Sequence, residues 1–113
     1  MTTVIIKVTK QHMYDGERTN SNNCPINRSI EETLQLGKGE NEWFECSTDP
    51  TIVNFSLGGD RACEMVSLPE RAIEFIESWD SEDPFHEVSD FAEFEFELPV
   101  PDGITIPAGV KRR

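Results

Sequence analysis

Cysteine, histidine and long apolar runs are all scarce in this chain, and each scarcity removes a class of function. The three cysteines, Cys24, Cys46 and Cys63, are odd in number and form no CxxC pair. That argues against a secreted disulfide scaffold and for a reducing cytosol. Lying 22 and 17 residues apart, they also lack the short paired spacing of a zinc site. His12 and His86 are the only imidazoles. A nucleophilic Cys24 would need one of them as a base, and nothing in the sequence brings either close. No apolar run approaches the ~20 residues of a membrane span, and Val4-Ile5-Ile6 is far shorter than a signal-peptide core. These absences predict a soluble cytoplasmic protein with no metal and no cofactor.

Bases are scarce as well, and unevenly so. Between Glu64 and Glu97 stand twelve acids against one base, Arg71, while the other 79 residues hold ten acids and nine bases. Nearly the whole net charge of −12 therefore sits in one stretch. With a pI near 4.4, direct binding to nucleic acid or to anionic lipid is disfavoured. Basic protein surfaces are the natural partners of such a charge. Hydrophobic residues make up 36% of the chain. Trp43, Trp79 and seven Phe bring enough area for a single core, and both tryptophans are expected inside it.

The patterning predicts an α+β fold of order β-α-β-β-β-α-β. It comprises a mostly antiparallel sheet of four to five strands with two helices on one face. Thr3 to Thr9 is β-branched and reads as a strand. Lys10 to Asn23, with Gly16, Asn20, Asn22 and Asn23, reads as a loop. A helix starts at Cys24-Pro25, carries Ile26, Ile30 and Leu34 on one stripe, and is expected to end at Gly37 and Gly39. Short strands follow at Glu42 to Ser47, Thr51 to Leu57 and Ala62 to Val66, the last two joined by a turn at Gly58-Gly59-Asp60. Ser67-Leu68-Pro69-Glu70 has capping-box spacing for a second helix running to Asp80, with Ala72, Phe75, Ile76 and Trp79 inward. Ala92, Phe94, Phe96 and Leu98 alternate with Glu93, Glu95 and Glu97, the period of a half-buried strand. Residues 1–98 thus form one domain. Residues 99–113 are a proline-rich tail whose basic end, Lys111 to Arg113, is expected to fray.

Three pieces of this pattern resemble a set of small proteins encoded by bacteriophages and their relatives. They are Val4-Ile5-Ile6-Lys7-Val8-Thr9; Cys24-Pro25-Ile26 with Arg28-Ser29-Ile30; and Leu68-Pro69 leading to Phe75-Ile76, Asp80 and Pro84-Phe85. Phe94-Glu95-Phe96-Glu97-Leu98 corresponds to the family's final strand. The chain departs from that pattern by placing eight residues, several of them acidic, between Phe85 and Phe94. The resemblance implies a viral origin and a host bacterial cytoplasm, and it carries no activity.

The acid-rich segment is the candidate site: Glu70, Glu74, Glu77, Asp80, Glu82, Asp83, Glu87, Asp90, Glu93, Glu95 and Glu97. On a strand, Glu93, Glu95 and Glu97 would project about 6.7 Å apart, a crude copy of a phosphate row. Glu70, Glu74 and Glu77 would form a second row on a helix. The same pattern also suits a solvated face that keeps a small protein soluble. Like charges this dense work against a helix, however. With the viral resemblance, this points to a non-enzymatic, DNA-mimic-like inhibitor. Its partner would be a basic host protein or ribonucleoprotein of anti-restriction or anti-CRISPR interest. The alternatives are a trap for a nucleotide signal, using bases among Arg18, Arg28, Lys38, Arg61 and Arg71, or a phage accessory protein. Cys24 reads as a buried thiol beneath its helix. Asp80-Ser81-Glu82-Asp83 lacks the glycine and the distal Glu of a calcium loop.

Overall fold

A computed structural model describes residues 2–17, 20, 22–57, 63–81 and 87–113. The alternating strand β1 (Thr2–Val8) buries Val4, Ile6 and Val8. It pairs antiparallel with the last strand, Phe94–Val100, so that Val4, Ile6 and Val8 face Leu98, Phe96 and Phe94 in register. A meander of β2 (Phe44–Thr48), β3 (Ile52–Leu57) and β4 (Cys63–Ser67) forms a separate antiparallel sheet; the last strand is β5. The fold is α+β with the expected strand sequence, but the strands divide into two sheets rather than one. The Gly58-Gly59-Asp60 turn lies outside the described residues.

Among the described residues three α-helices accompany the sheets. The stretch after β1, expected as a loop, opens with a six-residue helix α1 (Lys10–Asp15). It carries no apolar period, only Met13 and His12 facing inward, so periodicity misses it. Its start is fixed by capping instead. The Thr9 hydroxyl accepts the His12 N–H, and His12 Nδ1 accepts the Thr9 N–H at 2.9 Å, an imidazole filling the role usually given to Glu or Gln. Gly16 ends this helix where Pro25 passes so closely that a Cβ would lie 2.7 Å from its Cδ. Helix α2 (Pro25–Leu34) starts as expected, with Cys24 as N-cap and proline first. It stops at Leu34, ahead of the glycines: Gln35 adopts a left-handed conformation (φ 51°). Gln35 and Leu36 N–H groups bond back to the Glu32 and Glu31 carbonyls. That is the Schellman arrangement, with the buried Leu36 supplying its hydrophobic contact.

Helix α3 (Glu70–Asp80) buries Ala72, Phe75, Ile76 and Trp79 and ends where expected. The capping box at Ser67 does not form. Ser67 is the last residue of β4, and the N-cap position falls to Pro69, which offers no side-chain acceptor. Trp79 is 4% exposed and its indole N–H donates to the Glu17 carbonyl. Trp43, expected in the core, is 67% exposed instead; it precedes β2, and its neighbour Phe44 packs against the core in its place.

The C-terminal stretch is tied down rather than frayed. Strand β5 continues through Pro99 to Val100, and Ile104 is buried in the core. The Ile5 N–H bonds to the Lys111 carbonyl and the Arg113 N–H to the Thr3 carbonyl. These bonds cover the edge of β1 opposite β5. Asn41, buried, holds the approach: its Nδ2 donates to the Leu34 and Thr105 carbonyls, and its Oδ1 accepts the Thr105 N–H.

Candidate functional site

The amphipathic pattern of α3 that buries Phe75 and Trp79 leaves Glu70, Glu74 and Glu77 exposed. Among the described residues, none of the three has a cation within ion-pair distance. Glu70 lies in the first turn, where the helix dipole favours it. Glu77 sits in the last turn, where the same dipole opposes a negative charge, and no basic residue is there to offset it. Repulsion between Glu70 and Glu74, one turn apart, adds a few tenths of a kcal/mol against the helix. Asp80, at the end of α3, is half-buried and lines a separate cleft beside Cys24, Thr48 and Asp49.

After α3, Glu82 and Asp83 lie outside the described residues. Glu87 and Asp90 are exposed and frame a 3-10 turn, Val88–Asp90, in which the Glu87 N–H donates to Asp90 Oδ2 at 2.7 Å. Lys10 reaches across to this turn. Its Nζ donates to the Val88 carbonyl at 2.9 Å and to the Phe91 carbonyl, while its backbone N–H donates to Glu93 Oε2 at 2.8 Å. One residue at the start of α1 therefore stitches the acidic turn to the body of the protein.

The expected row of three strand carboxylates is not uniform. Glu93 precedes β5 and is occupied by the Lys10 N–H. Glu95 is exposed on β5 opposite Lys7 of β1. Glu97 pairs with the Arg113 guanidinium at 3.0 Å. The groups that meet this row, the Lys10 N–H, Lys7 and the Arg113 guanidinium, come from the two chain ends, far away in sequence, and the local charge balance gave no sign of them. The acidic segment thus has two parts: around β5, Glu97 is ion-paired and Glu93 accepts a backbone N–H, whereas on α3, among the described residues, the three carboxylates have neither.

Cys24 and Cys46 are buried free thiols joined through Asn27. The Asn27 N–H donates to Cys24 Sγ at 3.4 Å, and its side-chain Oδ1 accepts from Cys46 Sγ and from Thr48 Oγ1. Its Nδ2 donates to the Asn22 carbonyl and to Glu31 Oε1. Asn27 is fully buried and each of its polar groups is satisfied, as a buried amide requires. Burial pushes the Cys24 and Cys46 thiols up from their ordinary values. For Cys24 this desolvation outweighs the helix N-terminus, so the group is a packed neutral thiol and no nucleophile. Desolvation also raises the Glu31 carboxyl, with Arg28 and the Asn27 hydrogen bond acting in the opposite sense.

Two of the scattered bases, Arg28 and Lys38, do share a cleft of about 530 Å³, but Asp15, Glu31 and Glu32 share it too. His12 lines the same cleft and is held on both sides: Nδ1 accepts from Thr9, so its Nε2–H is the donor to Glu32 Oε2 at 2.9 Å. Arg28 Nε is shut off from solvent with no hydrogen-bond partner, so a ligand oxygen has no path to it. This cleft is no match for a polyphosphate. Arg18 and Arg61 lie outside the described residues, as does His86.

Among the described residues no group of three or more His, Cys, Asp or Glu side chains is arranged to hold a metal ion. No helix there is long and apolar enough to cross a membrane. No family model, curated protein or solved structure matches the chain. Function has to be argued from the surface itself.

Proposed function

We propose that this chain is a non-enzymatic binding protein whose α3 face occupies a basic, nucleic-acid-binding surface on another protein or ribonucleoprotein. One observation carries the reading. Among the described residues Glu70, Glu74 and Glu77 stand exposed with no cation within ion-pair distance, on a helix whose last turn disfavours acids, while Glu93 accepts the Lys10 backbone N–H, Glu95 of β5 stands opposite Lys7 and Glu97 pairs with Arg113. A solubilising surface gains nothing by concentrating like charge on one helix when bases are at hand elsewhere. The row rises about 10 Å along the helix axis, a length over which a nucleic-acid strand presents several phosphates. The phage-like sequence pattern supplies a setting, inhibition of a host restriction or CRISPR complex from within the bacterial cytoplasm.

The test is capture with competition. A nucleic-acid-binding complex retained on the chain is expected to be released by duplex DNA and by rising salt. Glu70→Lys/Glu74→Lys/Glu77→Lys is expected to abolish retention, whereas Glu95→Gln leaves most of it. Retention that survives the triple reversal, or that ignores salt, sinks the reading.

A further inference from the structure

Beside the glutamate row runs a groove of about 390 Å³ between α3 and the segment entering β5. Its floor is aromatic. Phe75 packs edge-on against Phe91 with centroids 5.4 Å apart and tilted against Phe94 at 5.0 Å. Glu74 and Asp90 stand on opposite walls, one from the helix and one from the 3-10 turn. The protein's own Arg71 lies at this groove with its guanidinium carbon 5.6 Å from the Phe94 ring centroid. An aromatic floor between two carboxylates offers a planar cation both a stacking surface and hydrogen-bond acceptors.

We propose that this groove receives an arginine side chain of the basic partner, anchoring the α3 face on it. The proposal rests on the preceding reading of that face and adds to it a specific pocket and a specific side chain. An apolar side chain fits worse, because it would strip water from the exposed Glu74 carboxylate without replacing its hydrogen bonds. A lysine ammonium meets the charge requirement but is a compact, strongly hydrated point that neither stacks nor forks. The Arg71–Phe94 pair is the intramolecular precedent for a guanidinium here.

Octa-arginine and octa-lysine peptides, equal in charge, separate the anchor from the general attraction. Titrated against the full chain, both are expected to bind in a salt-sensitive way, octa-arginine about two- to five-fold tighter, the range of an exposed cation–π contact. Ala92→Ile, at an exposed groove position, fills the groove without adding an aromatic face and is expected to erase the arginine preference while octa-lysine binding is retained. Ser78→Arg, which supplies a second internal guanidinium from the helix side, is expected to do the same. Equal affinity for the two peptides, or a preference that survives both variants, overturns the groove alone. If neither peptide binds, the reading of α3 as a docking face falls with it.

Discussion

Glu93, Glu95 and Glu97 each stand near a donor or a cation, whereas Glu70, Glu74 and Glu77 stand near one another. The strand acids are built into the fold: Lys10 N–H on Glu93, Lys7 across from Glu95, Arg113 on Glu97. The helix acids are built onto it, at a position where backbone dipole and neighbouring charge both work against them. Equal charge densities in a sequence can therefore mean opposite things. What separates them is whether distant parts of the chain return a compensating base.

The largest effect expected on this contrast comes from Lys10, the hinge between the two regions. Lys10→Met removes both Nζ hydrogen bonds and leaves the Val88 and Phe91 carbonyls without that donor, while the backbone bond to Glu93 persists. Losing a charge-assisted donor to partly buried carbonyls costs about 1–3 kcal/mol. Urea denaturation should show a drop in that range. A change under about 0.5 kcal/mol would mean that the acidic turn is held by other contacts.

The helix row should respond with the opposite sign. Glu74→Gln/Glu77→Gln removes like-charge repulsion and an unfavourable dipole contact, so thermal stability should rise by about 0.5–1 kcal/mol at low ionic strength. In about 0.5 M salt the gain should nearly vanish, since the Debye length is then only a few ångströms. A loss of stability would show that these carboxylates have a partner after all, and the contrast with β5 would disappear.

How much of this was legible beforehand depends on whether the cause was local. The strands and α3 were, because alternation and helical spacing are written into adjacent residues such as Phe94-Glu95-Phe96 and Phe75-Ile76. The acid content of α3 was legible for the same reason. Helix α1 was not: its start rests on a reciprocal Thr9–His12 hydrogen bond that common capping patterns do not include. Asn27 and Asn41 read as ordinary polar residues, and their work appears only when β2 and the Thr105 segment arrive beside them. The pairing of β5's acids needed both chain ends, β1 and the returning C-terminus. No window of sequence around Glu95 contains them.

Glu31 is a third kind of acid in this molecule, half-buried at the cleft it shares with Arg28 and hydrogen-bonded by Asn27, and it gives the contrast a pH axis. Its carboxyl is raised above the ordinary value of 4.5, chiefly by burial. The folded state therefore holds a proton that the unfolded state has already released between those two values. Stability from this group is fully present below about pH 4.5 and is lost as pH rises through the folded value. Glu31→Gln keeps an acceptor for Asn27 Nδ2 and removes the charge. Melting curves should show the variant equal to the parent near pH 4 and more stable near pH 7. A variant less stable at neutral pH would reverse the assignment.

The smallest effect concerns the pair Arg113–Glu97, and it decides whether the two acidic regions are distinct. Both side chains are largely exposed, so the ion pair is worth only about 0.2–1 kcal/mol. Arg113→Gln spares the backbone bond from Arg113 N–H to the Thr3 carbonyl, which isolates the side chain from the anchoring of the terminus. A double-mutant cycle with Glu97→Gln should return a coupling in the stated range that fades with salt. The single variant should also leave Glu97 without its cation and so strengthen binding of a polycationic peptide slightly, whereas Glu97→Gln should barely change it. If the coupling is zero and Glu97→Gln weakens polycation binding as much as Glu74→Gln does, then Arg113 does not shield the strand. The acids of β5 and α3 would then act as one continuous anionic surface.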